Sequence, residues 1–135
     1  MSNIQAYIYD AELVRVVDGD TVRFRLFKVF EYTVDFGFYI KETIRSTKHT
    51  EMNFRLFGIN TPEIRGVSAE VKAKGMAAKA EVERLLSLGS LRVETYKPDK
   101  YGRWLASVWV YPANDDPINV NEWLVEHGHA ERYMV

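Results

Sequence analysis

The chain has no cysteine among its 135 residues, which rules out a disulfide framework and a thiolate metal site. Histidine is scarce too: the three present, His49, His127 and His129, lack the spacing of a zinc site. No apolar stretch is long enough to span a bilayer, so no membrane partner is expected. No internal repeat, low-complexity segment or linker is visible. An excess of either charge is also missing, because 18 Lys and Arg stand against 19 Asp and Glu, a net charge of −1. This argues against strong non-specific binding to a polyanion, whose affinity rests on Lys and Arg neutralising phosphates. Residues 1–13 lack a basic start followed by an apolar stretch, so no secretory signal is read there. An intracellular, cytoplasmic location is the expectation unless a leader had been removed.

What remains is the profile of one globular domain, residues 1–135, with 47% apolar and 27% charged residues and enough length for a single core. Tyr7 to Val17 reads as a strand, and Asp18-Gly19-Asp20 as a turn. From Thr21, Val22, Phe24 and Leu26 alternate with Arg23, Arg25 and Phe27, the mark of a half-buried antiparallel strand. Arg23 and Arg25 then form its solvated face. Residues 28–52 are rich in aromatic and β-branched side chains. They read as a long segment: an extended strand, a bend at Gly37, and a hairpin arm returning through Met52 to Phe57, with Ser46 to Thr50 as a loop tip. Such a segment suits a lip over a site or an interaction edge.

Ser68 can cap a helix whose Val71, Ala78, Val82 and Leu85 share one face, with Gly89 as a left-handed stop. Gly75 inside it costs about 1 kcal/mol relative to Ala, which points to a close helix–barrel contact. Strands follow at Leu91 to Tyr96 and Trp104 to Tyr111. A short helix from Val120 to His127 closes at Gly128. Trp104, Trp109 and Trp123 read as core. Three strands, a helix, two strands and a helix fit a mainly β, α+β fold: a five-stranded Greek-key OB-fold barrel, with one long helix between strands 3 and 4 and a short C-terminal helix.

Chemistry concentrates in three turns. The first is Asp18-Gly19-Asp20-Thr21. The second is Arg55-Leu56-Phe57-Gly58-Ile59-Asn60-Thr61-Pro62-Glu63, and the third Asp99-Lys100-Tyr101-Gly102-Arg103. Lys97, Lys100 and Arg103 around the third turn, with Arg55 and Arg65 around the second, make a local basic site on a neutral body. Hydrolysis of a phosphodiester needs an aimed and deprotonated water, stabilisation of growing phosphoryl charge, and in-line geometry. The arginine fork stays charged and binds two oxygens at once. A carboxylate such as Glu63 can take the proton, and a hard cation such as Ca²⁺ takes oxygen ligands only. Pro62 fixes its own φ and keeps Thr61 extended, which defines the backbone at Glu63. Asp20 is the best metal-ligand candidate, with Asp18 as its supporting partner.

In this order the three motifs resemble the staphylococcal nuclease (thermonuclease) family, from about Val14 to about Tyr133. The family pattern is Asp-Gly-Asp-Thr, then Arg-Leu-x-x-(Val/Ile)-Asp-x-Pro-Glu, then Asp-Lys-Tyr-Gly-Arg. The resemblance implies the same barrel and a dependence on Ca²⁺, and against the family the segment 28–52 is an enlargement. It implies that Glu63 is the general base, that Arg55 and Arg103 grip the scissile phosphate, and that the Thr61 carbonyl ligates the metal. It places Tyr101, beside Lys100, against substrate phosphate, and Tyr133 near the base or sugar. Asn60 departs from the pattern, which has Asp there as the second carboxylate on calcium. Asn keeps a carbonyl oxygen but not the charge, and Ca²⁺ affinity follows ligand charge, so weaker metal binding is expected.

The function so implied is a metal-dependent endonuclease, a hydrolase leaving 3′-phosphates on DNA and RNA, preferring single-stranded or unwound substrate, with little sequence specificity. Two alternatives stay open: a non-catalytic nucleic-acid-binding module on the same barrel, and a protein-interaction domain using residues 28–52.

Overall fold

Long runs of β-branched and aromatic residues open the chain, and each finds its neighbour through a tight turn. The computed structural model describes residues 7–96, 98 and 104–133. Strand β1 (Tyr7–Asp18) turns at Gly19 into β2 (Thr21–Gly37), and β2 turns at Phe38 and Tyr39 into β3 (Ile40–Leu56). A short β4 (Ile59–Asn60) leads to helix α1 (Ala69–Leu86). Then come β5 (Gly89–Tyr96), β6 (Trp104–Pro112), β7 (Ile118–Asn119), helix α2 (Val120–Glu126) and β8 (Glu131–Arg132).

Strands β1, β2 and β3 pair antiparallel in sequence, β1 also pairs with β5, and β5 with β6. A parallel pairing of β3 with β6, Phe54 beside Trp104 and Leu56 beside Ala106, closes the ring. The result is a closed five-stranded barrel of the OB type, as the element order predicts, with α1 between its third and fourth strands. Closure removes the free edges that an open sheet would leave.

Alternation decides what fills it. Val22, Phe24 and Leu26 of β2 point inward with Phe54 and Leu56 of β3, Val93 of β5, and Ala106, Val108 and Val110 of β6. Val82, Leu85 and Leu86 of α1, and Val120 and Leu124 of α2, pack on the same cluster. The Ser68 side chain accepts a hydrogen bond from the Val71 N–H at 3.3 Å, the expected N-cap. Asn119 caps α2 in the same way, and Gly128 beyond it has φ +77°. Among the described residues no helix is long and apolar enough to cross a membrane.

Four expectations need correction. Ser46 to Thr50 is not a loop tip: each of these residues pairs across to β2, from Phe30–Ser46 to Leu26–Thr50. Their polarity reflects a solvated strand, and cross-strand pairing outweighs it. The bend at Gly37 is real (φ +85°), and the tip lies beside it at Phe38 and Tyr39. Gly89 is not the left-handed stop of α1. Ser87 holds that end, its N–H and hydroxyl both donating to the Arg84 carbonyl, while Gly89 opens β5 where a Cβ would lie 2.0 Å from the Tyr111 carbonyl oxygen. Val71 faces solvent, and the helix buries Gly75, Ala78, Val82, Leu85 and Leu86. Trp104 is 44% exposed at the mouth of the barrel, where β3 and β6 begin to pair and, among the described residues, no further layer covers it; Trp109 and Trp123 are half-buried.

Candidate active site

The β1–β2 turn is drawn against the β3–α1 connection by a set of hydrogen bonds centred on Asp20. Its backbone carbonyl accepts from the Leu56 N–H at 2.8 Å, and its Oδ2 accepts from the Thr61 N–H at 3.3 Å. The Thr21 hydroxyl approaches Oδ1 at 3.4 Å. Gly19 makes this closeness possible. A Cβ there would meet Thr61 Oγ1 at 2.9 Å and the Ala78 methyl at 3.0 Å, so a side chain would push the acidic turn off both the connection and the helix. Asp18 is half-buried in the same turn, in register with Thr21.

Arg55 lies beside Thr21 in the β2–β3 ladder, on the outer wall of the barrel, yet is only 9% exposed. Its Nη2 donates to the Ile59 carbonyl at 3.0 Å and to Asn60 Oδ1. The Tyr133 ring sits 5.2 Å from the guanidinium carbon, a cation–π contact. Tyr133 is itself held, its N–H donating to the Gly58 carbonyl at 2.8 Å, while β8 pairs with β4 through Ile59–Arg132 and Asn60–Glu131. Below the site, the buried Asn121 side chain accepts from the Val108 N–H and donates to the Phe57 and Ala106 carbonyls. That brace fixes the end of β3 just past Arg55.

Glu63 is exposed on the irregular segment that leaves Thr61. Its backbone is set by Gly75: a Cβ at that helical position would lie 2.7 Å from the Pro62 carbonyl oxygen and 2.8 Å from that of Glu63. The close contact that Gly75 permits is thus with the connection carrying the candidate base, not with the barrel wall. Beside it, Asn60, Thr61, Pro62, Lys74 and Glu131 line a cleft of about 340 Å³.

Asp20, Arg55, Asn60, Thr61 and Tyr133 are therefore brought together, with Asp18 in the same turn and Glu63 on the same connection. Lys100, Tyr101 and Arg103 lie outside the described residues. The positioning glycines Gly19 and Gly75, the brace Asn121 and the cleft residue Lys74 were not foreseen as parts of the site. A buried glycine inside a helix was the one usable signal, and Gly75 carried it.

Among the described residues no three His, Asp or Glu side chains gather into a metal cluster. The donors at hand are the Asp20 carboxylate, the Asn60 amide oxygen and the Thr61 carbonyl. All are oxygens, which suits a hard cation in kind, but the charge is low and Asn60 already serves Arg55.

The chain is 30% identical to an uncharacterized protein of Methanocaldococcus jannaschii, over 93% of this chain and 60% of that protein. It is 29% identical to the thermonuclease of Staphylococcus hyicus, over 82% of this chain and 53% of that enzyme. The chain thus spans between about half and three-fifths of the length of these relatives. The model of the family described as staphylococcal nuclease homologues matches residues 53–135, the part that carries Arg55, Asn60, Thr61, Glu63 and the closing half of the barrel. With more than half of its length in that match, the chain belongs to the staphylococcal nuclease homologue family.

Proposed function

We propose that the protein is a metal-dependent nuclease that hydrolyses phosphodiester bonds of DNA and RNA and leaves 3′-phosphates. The observation that carries this is the seating of Arg55: a nearly buried guanidinium held by the Ile59 carbonyl and Asn60, on the connection that continues to Glu63 and is tied by Thr61 to Asp20. A fixed guanidinium stabilises developing phosphoryl charge without reorganising, where removal of one such donor costs ~10²–10³ in rate.

In this reading Glu63 accepts the proton of the attacking water. The water oxygen then adds to phosphorus as the bond to the 5′ oxygen breaks, that oxygen taking up a proton from solvent to leave as a 5′-hydroxyl, and Arg55 stabilises the equatorial oxygens. Arg103 shares that work in the family pattern. Asp20, Asn60 and the Thr61 carbonyl would hold the cation, Ca²⁺ by family resemblance, which when bound neutralises phosphate charge. Substrate is single-stranded or unwound, with little sequence preference, since direct readout requires side chains laid along base edges in a groove.

One observation favours a second reading. Asn60 stands where the family pattern has a carboxylate, and its oxygen is engaged by Arg55. A chain that keeps the nucleic-acid surface but binds no cation would be a non-catalytic module. Digestion of a single-stranded oligonucleotide with Ca²⁺, against EDTA and Glu63→Gln, separates the two. Cleavage lost under both controls is expected, with Asn60→Asp lowering the Ca²⁺ needed for half-maximal rate. Tight binding with no cleavage at millimolar Ca²⁺ would replace the nuclease by the binding module.

A further inference from the structure

Strands β2 and β3 run well past the barrel as a two-stranded ribbon. Among the described residues the ladder to β1 ends at Phe27 and that to β6 begins at Phe54. Such a ribbon is marginal alone in water unless one face is covered. Its two faces differ sharply. On one, Glu31 pairs with Arg45, the Thr33 and Thr43 hydroxyls meet at 3.3 Å, and Asp35 lies across from Lys41. The other continues the parity of Val22, Phe24 and Leu26. It carries Phe30, Tyr32 and Val34 opposite Ser46, Ile44 and Glu42, with the Phe30 and Tyr32 rings stacked at 6.1 Å. Among the described residues, this face patterned like a core has no core beneath it.

The tip adds to this. Phe38 and Tyr39 take φ of 53° and 68°, a left-handed pair that Gly, Asn or Asp adopt at little cost. They are 96% and 100% exposed. At the base of the same face, Tyr9, Leu26, Met52, Phe54 and Trp104 line an apolar groove of about 310 Å³ at the barrel mouth. Taking ~200 Å² per aromatic side chain, Tyr32, Phe36, Phe38 and Tyr39 alone expose on the order of 600 Å². A stable interface needs ~800 Å² per partner.

We propose that this face docks on the same face of a second copy of the chain, the two ribbons antiparallel about a two-fold axis at the level of Glu31 and Arg45. Charge selects this arrangement. Lys28 and Lys48 lie directly opposite one another at the base, and Glu42 lies near the tip, about 20 Å away at strand rise. With the ribbons parallel, four lysines would meet. Antiparallel, each Lys48 faces Glu42 of the second copy, and each Tyr32 faces the other Phe30. The same operation carries Phe38 and Tyr39 to the level of Phe24 and Met52 of the other copy, which is where the apolar groove opens. Knob and groove lie equally far from the axis, as an isologous contact requires.

Sedimentation velocity on the whole chain across micromolar concentrations tests this. The wild type is expected to dimerise. Lys48→Glu and Glu42→Lys should each raise the dimer Kd at least about tenfold, since symmetry doubles every reversed contact, and the two together should restore it. Replacing Phe38 and Tyr39 by Asn and Gly, which suit the turn and keep the ribbon foldable, should also weaken the dimer at least tenfold. A wild type that stays monomeric at 100 μM, or charge reversals that leave Kd unchanged, would overturn the proposal and leave the face to another occupant.

Discussion

Barrel and ribbon share two strands, β2 and β3, which keep the same alternation through both and differ in what lies beneath it. In β2, Val22, Phe24 and Leu26 are buried, whereas Tyr32, on the same side of the same strand, is about half exposed, and Phe36, at the bulge beyond it, about two-thirds. Periodicity therefore tells which face a side chain joins. It does not tell whether the fold supplies a partner for that face. The comparison also separates roles: the candidate site is built where the chain closes on itself, and the ribbon adds surface without touching Asp20, Arg55 or Thr61.

The largest effect that would test this contrast is on stability. Phe24→Ala opens a cavity in a filled barrel and is expected to cost about 3–5 kcal/mol. Phe36→Ala, measured at concentrations where the chain is monomeric, should stay within about 0.5 kcal/mol. Urea melts followed by tryptophan fluorescence check both. Similar losses at the two positions would mean that the ribbon shares the barrel's core and that the contrast is wrong.

A smaller effect compares two glycines. At Gly75 a methyl would press on the Pro62 and Glu63 carbonyls. Such overpacking costs about 1–3 kcal/mol, offset by about 1 kcal/mol of helix propensity. Gly75→Ala should therefore lose at most about 2 kcal/mol in the same melts, while displacing the backbone under the candidate base. At Gly37 the added methyl meets open space, so only the left-handed φ of +85° opposes it, at about 1–2 kcal/mol. Matched for stability, the two variants should differ in oligonucleotide cleavage, with Gly75→Ala impaired and Gly37→Ala unchanged.

The same contrast explains how much could be read in advance. The barrel was legible because alternation in β2, the helix pattern and the turn motifs all agree, and the fold then brings Asp20, Arg55, Asn60 and Thr61 within hydrogen-bonding reach of one another. Ser46 to Thr50 misled because a polar run looks like a loop, while a ribbon in water tolerates polar residues at every position. Trp104 misled because its parity is inward, but among the described residues nothing covers it there. Gly19 and Gly75 act through contacts between segments far apart in sequence, and only Gly75, a glycine inside a helix, left a local sign of its contact. Asn121 is the same case in polar form: a buried amide whose three partners sit on β6 and after β3.

The smallest expected effect concerns the strap that completes the site. Arg132 binds Glu122 through two bonds of 3.1 and 2.7 Å, tying β8 to α2 and so holding Tyr133 over Arg55. The hydrogen bond from Arg132 holds the Glu122 carboxyl below the usual carboxylate range, against an opposing effect of burial and with a lesser contribution from the Arg132 charge. A lowered folded-state pKa means the pair stabilises the fold above the unfolded carboxylate's pKa, near 4.3, and that this stability is lost as pH falls through the folded value. Both groups are solvated, so the contribution is small. Glu122→Gln should lower Tm by a few degrees at most at pH 7, and the difference from wild type should vanish in acid below the folded Glu122 pKa. Because the strap bears on Arg55 through Tyr133, the same substitution should slow cleavage at neutral pH more than its small effect on Tm suggests. A loss of rate with no pH-dependent Tm difference would mean that Glu122 acts on the site by another route than the strap.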